Sequence, residues 1–251
     1  MVNIICVKWG TKYSADWVNR LFYMCSINIS IPFNFYCYTD ESSDIDKKVK
    51  IIPITTEDYY EGYWNKLCMF QEDFIDSGDI NLFFDLDVVI QNNLDNFIKE
   101  QLRDNLTMIR AYWKKDRVTD GSSPKFKEKW DMYANSSVLL WKNKSLGYIW
   151  NHFDSNPDFF MTKYKGIDRF LFHENMPLSF FPKRLIYSRI NGVDETDFHK
   201  GKAFKNQVKR YDFEGTPFDN VVLHHHPEML ICIFNGPSED WMYEEFKQYY
   251  S

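Results

Sequence analysis

Two aspartates, Asp85 and Asp87, stand two residues apart inside the otherwise apolar run Leu82-Phe83-Phe84-Asp85-Leu86-Asp87-Val88-Val89-Ile90. Side chains alternate along a strand, so this spacing directs both carboxylates to one side of a sheet. Like charges that close at a buried edge repel unless a shared proton or a cation compensates. A hard divalent ion, Mn²⁺ or Mg²⁺, takes oxygen ligands and resolves the conflict. Strand ends in open α/β sheets are also where nucleotides bind. The chemistry implied is metal-assisted handling of a phosphate-bearing ligand. Two solvated aspartates at a strand end would satisfy the same spacing without it.

A second group is His224-His225-His226, followed by Pro227. On a regular strand only His224 and His226 share a face, so all three cannot meet one metal. One buried and two solvated imidazoles fit the pattern as well as metal or phosphate contact does. Basic groups occur at Lys114-Lys115-Arg117, at Lys125-Lys127-Lys129 and from Lys200 to Arg210. They read as solvated faces, or as a surface for an anionic acceptor or weak membrane association.

The elements that must position these residues alternate early in the chain. Asn3 to Trp9 reads as a buried strand ending at Gly10. Val18, Leu21, Phe22, Cys25 and Ile29 then recur at helical spacing, with Ser14 placed to cap. Phe33–Tyr38 and Lys50–Ile54 follow as strands, and a helix buries Trp64, Leu67, Cys68, Phe74 and Ile75 before Gly78. Ile80 to Ile90 reads as one long strand, and Leu94, Phe97, Ile98 and Leu102 as a helix. Leu106–Trp113 and Tyr133–Trp141 are two more strands, separated by a polar Lys114–Lys129 loop with the composition of a lid.

The second half is looser. Leu146, Ile149, Trp150 and Phe153 mark a helix, and Ile167, Phe170 and Leu171 a shorter one. Leu178–Phe181, Val221–Leu223 and Leu230–Phe234 read as late strands, and Ser238-Glu239-Asp240 opens a C-terminal helix. The pattern gives a single α/β domain, 1–251, with a mixed, mainly parallel central sheet.

Composition excludes several classes. Over 251 residues, 44% hydrophobic and 26% charged side chains supply a core and argue against disorder. A net charge of −6 offers no broad basic field, so no nucleic-acid partner is expected. No apolar run approaches the roughly 20 residues that span a bilayer, so no transmembrane segment is expected. Met1 leads straight into Asn3-Ile4-Ile5-Cys6-Val7 without the marks of a signal peptide. Cys6, Cys25, Cys37, Cys68 and Cys232 form no C-x-x-C pair and read as reduced core thiols of a cytoplasmic protein. Aromatics reach 18%, which fits a codon bias better than a surface built for carbohydrate.

The run F-F-D-L-D-V-V-I resembles the metal- and nucleotide-sugar-binding strand of GT-A-fold glycosyltransferases, especially the glycogenin-like family 8 and similar bacterial and viral enzymes. Other segments match that plan in order. Cys6 to Tyr13 is similar to the first strand and loop around the nucleobase and ribose, Tyr38-Thr39-Asp40 to the end of the second strand, and Trp64-Asn65-Lys66-Leu67 to the helix before the aspartates. Tyr133 to Leu140 resembles the strand that begins with small polar residues beside the donor sugar, Gly166-Ile167-Asp168-Arg169 the segment near the transferred sugar, and Ile231 to Pro237 the closing motif.

The resemblance implies a GT-A-like, Rossmann-like fold, with a nucleotide-binding half over 1–113 and an acceptor half over 114–251. It implies transfer of a hexose from a nucleoside diphosphate sugar, UDP-linked or GDP-linked, to a glycan or small hydroxyl acceptor. Asp87, helped by Asp85, would hold the cation. Lys66, or else Lys8, Lys12 or Arg110, would face the diphosphate. Trp9 or Tyr13 would stack on the base, a contact worth roughly 1–3 kcal/mol by analogy with nucleic acids. Thr11 belongs to the same loop, and Asp40 would accept a hydrogen bond from the base or ribose. Asn135 and Ser136 would lie beside the donor sugar. Asp168 would bind sugar hydroxyls or act as a base, or simply stabilise its helix dipole.

The family pattern ends in a histidine and a lysine that are absent here, where Ile233 and Pro237-Ser238-Glu239 stand. That leaves the third metal ligand to Asn235 or to His224 or His226. A non-catalytic nucleotide- or sugar-binding module with a degenerate site is therefore an alternative. A sugar nucleotidyltransferase is a third, disfavoured by the single glycine of Trp9-Gly10-Thr11-Lys12-Tyr13.

Overall fold

A computed structural model of the chain describes residues 1–55, 60, 62–112, 134–164, 166–194, 224–234 and 246–250. Its strands are β1 (Val2–Lys8), β2 (Phe33–Thr39), β3 (Lys50–Pro53), β4 (Ile80–Phe84), β5 (Val88–Ile90), β6 (Leu106–Arg110), β7 (Ala134–Lys142), β8 (Leu178–Phe180), β9 (Ile186–Ser188) and β10 (Ile231–Ile233). Its α-helices are α1 (Ala15–Asn28), α2 (Asp95–Gln101), α3 (Gly147–Asp154), α4 (Pro157–Lys163), α5 (Ile167–His173) and α6 (Lys247–Tyr250), and a 3₁₀ helix covers Gly62–Phe70. The expected strand at Val221–Leu223, the lid at Lys114–Lys129, the basic groups and the helix opening at Ser238 lie outside the described residues.

A seven-stranded sheet has the order β3-β2-β1-β4-β7-β6-β8. Its pairings are parallel except where β7 runs antiparallel between β4 and β6. The mixed, mainly parallel sheet is thus observed. β1 is buried along its whole length because both neighbours and both faces are covered, which is why Val2-Asn3-Ile4-Ile5-Cys6-Val7 reads as almost unbroken apolar sequence. Pleating still sorts its side chains. Val2, Ile4 and Cys6 join the core shared with α1, whereas Ile5 and Val7 join the core under the 3₁₀ helix and α3 to α5.

The same alternation divides Leu82 and Phe84 from Phe83, and Val138 and Leu140 from Leu139 and Trp141. The second core is where many aromatics go. Trp64 stacks on Phe153 at 5.4 Å, and Phe170 meets Phe153 and Phe160 edge-on at 5.7 and 5.1 Å.

α1 buries Trp17, Val18, Leu21, Met24 and Cys25; of the expected stripe Val18, Leu21 and Cys25 are in it, Phe22 is only partly buried and Ile29 is the C-cap. Ser14 occupies the N-cap position, but its side chain makes no capping hydrogen bond. All five cysteines are buried free thiols. Burial pushes Cys6 and Cys25 well above the usual thiol range, so both stay protonated.

Sequence periodicity departs from the fold in three respects. The segment before β4 is a 3₁₀ helix that ends at Phe70, so Phe74 and Ile75 fall outside it. From Trp64 to Phe70 every residue of it is buried, which removes the polar face that marks a helix boundary. The short helix α4 and strand β9 carry too few residues to show a period.

Residues 80–90 are not one strand: β4 belongs to the large sheet, while β5 belongs to a three-stranded sheet of order β5-β10-β9. The run stays apolar because each sheet buries its own part, and Asp85-Leu86-Asp87 is the turn between them.

Candidate functional site

The carboxylates of Asp85 and Asp87 therefore take their directions from a turn and not from strand alternation, and both are partly exposed. The turn is held from two sides. Asp85 donates its N–H to the Ser137 carbonyl at 2.9 Å, and Phe234 donates its N–H to the Asp87 carbonyl at 3.2 Å. β10 runs antiparallel to β5 with Ile233 opposite Val88, which fixes the far side of the turn.

Lys66 of the 3₁₀ helix forms an ion pair with the Asp85 carboxylate, and its ammonium lies 5.1 Å from the Phe83 ring centre. Lys66 is buried, and a buried ammonium needs such a partner. The start of that helix is set by Asn65, whose side chain accepts from the Tyr60 N–H at 2.9 Å and donates to the Gly62 carbonyl at 3.0 Å. Asp87 accepts from the Tyr13 hydroxyl at 3.3 Å. Tyr13 packs edge-on against Trp17 at 4.9 Å, with the Lys12 ammonium 4.6 Å from its ring centre.

A bulge in β7 builds the next wall. Pairing of β6 with β7 jumps from Met108–Leu139 to Ile109–Asn135, so Ser136, Ser137 and Val138 step out of that ladder. Bulges re-aim backbone groups, often beside functional sites. The Ser136 N–H binds the Asp168 carboxylate at 2.8 Å, and the Ser137 N–H binds the Asn135 side-chain oxygen at 3.1 Å. Asp168 stands in the first turn of α5. Gly166 precedes that helix at φ 127°, a backbone conformation that side chains disfavour.

Trp9 and Tyr13 lie against different cores, so the loop between them crosses the carboxyl end of β1 from one face of the sheet to the other, with Thr11 exposed. Gly10 takes φ 58° at its corner and gives its N–H to Asp40 at 2.9 Å. Asp40 thus ties the exits of β1 and β2 together. Lys8 is buried and donates to the Glu41 carbonyl at 3.1 Å, whereas Arg110 is exposed at the end of β6.

The structure therefore joins Asp85, Lys66, Asn135, Ser136 and Asp168 into one bonded wall through Ser137, and Asp87 and Tyr13 into another. Ser137 is the member that sequence reasoning missed, and the polar Asn135-Ser136-Ser137 at the head of an apolar strand was the signal.

The bonds of the histidines among the described residues lead away from both walls. The His224 and His226 rings stack at 6.1 Å, as their shared face predicts, and His225 is exposed. The His226 carbonyl accepts from Gln91 at 3.3 Å, at the opposite end of β5 from Asp87. His224 bonds with Arg189 beyond β9. Among the described residues no three His, Cys, Asp or Glu side chains converge on a metal position. Asn235 lies outside the described residues, directly after Phe234. Two carboxylates at a solvent-facing turn remain a chemically suitable start for a hard oxygen-ligand cation.

Neither a protein-family model nor any curated protein sequence matches this chain. Solved structures do. The galactosyltransferase LgtC, in complex with donor and acceptor sugar analogues, superposes with a TM-score of 0.64 over 98% of this chain and 94% of its own, at 14% identity. The glycosyltransferase GlyE of Streptococcus pneumoniae TIGR4 gives 0.60 over 99% of this chain and 60% of its own, also at 14% identity. The chain has the GT-A-like glycosyltransferase fold. Among the described residues no helix is long and apolar enough to cross a membrane.

Proposed function

We propose that this chain is a metal-dependent glycosyltransferase that moves a hexose from a nucleoside diphosphate sugar to a hydroxyl of a glycan or other acceptor. The observation that carries the reading is the Asp85–Leu86–Asp87 turn, clamped between two sheets and flanked by Lys66 and the β7 bulge. A UDP-sugar is the favoured donor and a GDP-sugar the alternative. Bound Mn²⁺ or Mg²⁺ would neutralise charge developing on the leaving diphosphate. Asp87 would hold it, with Asp85 helping directly or through water and Asn235 as third ligand.

Lys66 serves this reading differently from a free diphosphate-facing lysine. Its ammonium is the one side-chain donor to Asp85 among the described residues, and it compensates that carboxylate in a folded chain that has yet to meet its ligand. Asp168 is oriented by Ser136, which leaves its carboxylate group in place to meet sugar hydroxyls or the acceptor. Trp9, Thr11, Tyr13 and Asp40 form the loop region that would receive the base and ribose. The five buried thiols fit a reducing, cytoplasmic setting.

The Lys66–Asp85 pair also favours a second reading, a nucleotide- or sugar-binding module without turnover, because it occupies a carboxylate oxygen the cation would use. Thermal unfolding with UDP, GDP and CMP, each with and without Mn²⁺, tests the donor site. Ligand at 100 times its Kd adds about 2.7 kcal/mol, a rise of about 5–10 °C for a chain of this size. A rise with one nucleotide that requires Mn²⁺ identifies the donor. Release of that nucleotide from its hexose conjugate then separates enzyme from binding module. No rise with any pair would sink the proposal.

A further inference from the structure

Side chains three residues apart eclipse one another on a 3₁₀ helix, so Tyr63, Lys66 and Met69 form one ridge of the Gly62–Phe70 segment. Their exposures are 42%, 7% and 1%, so the ridge descends from solvent into the core. Its buried middle is the lysine paired with Asp85, and its exposed head is an aromatic ring.

That ring does not stand alone. The position a Cβ would take on Gly166 lies 3.5 Å from Tyr63 Cε2 and 3.8 Å from Cζ, so one ring edge is propped against the turn that leads into Asp168. Trp64 backs it at 5.9 Å between ring centres. Among the described residues the Tyr63 hydroxyl makes no hydrogen bond.

A large aromatic exposed at the lip of a polar site, with no bond to its hydroxyl among the described residues, is the chemistry that receives a sugar ring. The apolar face accepts the C–H face of a pyranose, and the hydroxyl and neighbouring carboxylate meet its O–H groups. We propose that Tyr63 is the platform for the acceptor and that the acceptor is accordingly a glycan. This rests on the glycosyltransferase reading and narrows it from hydroxyl acceptors in general. The base is received elsewhere, on the Trp9–Tyr13 loop, so Tyr63 acts on the acceptor alone.

Saturation-transfer NMR with lactose, cellobiose and maltose, in the presence of UDP and Mn²⁺, tests the platform, with the UDP–Mn²⁺ thermal shift measured on the same samples. At least one disaccharide should bind the wild-type chain. Tyr63→Ala should weaken it at least tenfold and Tyr63→Phe less than threefold, while both variants keep the UDP–Mn²⁺ shift. Equal disaccharide binding by wild type and Tyr63→Ala overturns the platform. So does a wild-type chain that takes UDP–Mn²⁺ and none of the three sugars. A wild-type chain that takes no sugar and none of UDP, GDP and CMP with Mn²⁺ overturns the proposed function beneath it. If Tyr63→Ala loses the UDP–Mn²⁺ shift while Tyr63→Phe keeps it, the ring serves the donor and the acceptor assignment fails.

Discussion

Glu174 and the Asp85–Asp87 pair are carboxylates met by the same kinds of donor, a lysine and a tyrosine, in two different arrangements. Glu174 follows α5 and gathers Lys163 at 2.7 Å, His152 at 2.9 Å and the Tyr164 hydroxyl. Those partners come from α3, from α4 and from the residue after it, so one carboxylate fastens three short helices. Burial works to raise the Glu174 carboxyl, but the hydrogen bonds from Lys163, Tyr164 and His152 outweigh it and bring it down to about 2. Asp85, by contrast, meets a single side-chain donor among the described residues, Lys66. A carboxylate surrounded by donors is a fastener. Asp85, with Lys66 as its one side-chain donor among the described residues, has less to fasten it.

The largest test of that distinction is Asp87→Asn. It should abolish the Mn²⁺-dependent UDP shift and lower nucleotide release from UDP-hexose about 10³-fold, the loss expected when several kcal/mol of charge stabilisation disappear. A variant that kept the full shift would put the pair in the same class as Glu174.

Lys66→Met comes next. It leaves the Asp85 charge without its partner at a cost of about 2–4 kcal/mol, read as a Tm lower by roughly 5–10 °C. Adding Asp85→Asn should restore most of that loss. Failure of the second change to rescue would show that Lys66 matters through packing on Phe83.

Glu174→Gln should lower Tm at pH 7 by about 2–6 °C and leave the UDP–Mn²⁺ shift as it was. Because the folded carboxyl is depressed, its stabilisation is complete above the unfolded value near 4.3 and disappears as pH falls through about 2. The gap between wild type and variant should therefore close over that interval, as followed by melting at a series of pH values. The smallest effect is expected for Tyr13→Phe. Loss of one hydroxyl from Asp87 costs about 1 kcal/mol, less than tenfold in UDP affinity by titration.

Much of the first half of the fold was legible because its signals are local. Periodicity found β1, α1 and β2, and the paired aspartates stood out against an apolar background. The turn between β4 and β5 was not legible, since an apolar run looks the same whether one sheet or two bury it. Lys66 and Asp85 are a pair only through the fold, although a lysine set in Trp64-Asn65-Lys66-Leu67-Cys68-Met69-Phe70 already asked for a buried counter-charge. The bond between Asp40 and Gly10 was hidden for a similar reason: the two become neighbours only when β1 and β2 pair. α4 did announce itself, with Asn156 capping ahead of Pro157, but seven residues are too few for an amphipathic stripe to register.

The second sheet has a consequence for the order in which the molecule comes together. β5 finds its partner β10 only after most of the chain has been threaded past it, and the entropy of closing so long a loop opposes early pairing. The parallel ladder of β1, β2 and β3 closes over far shorter stretches. The aspartate turn, tied at one end to each sheet, thus takes its final shape only once β5 and β10 have paired, so Asp85 and Asp87 gain their native spacing late in assembly.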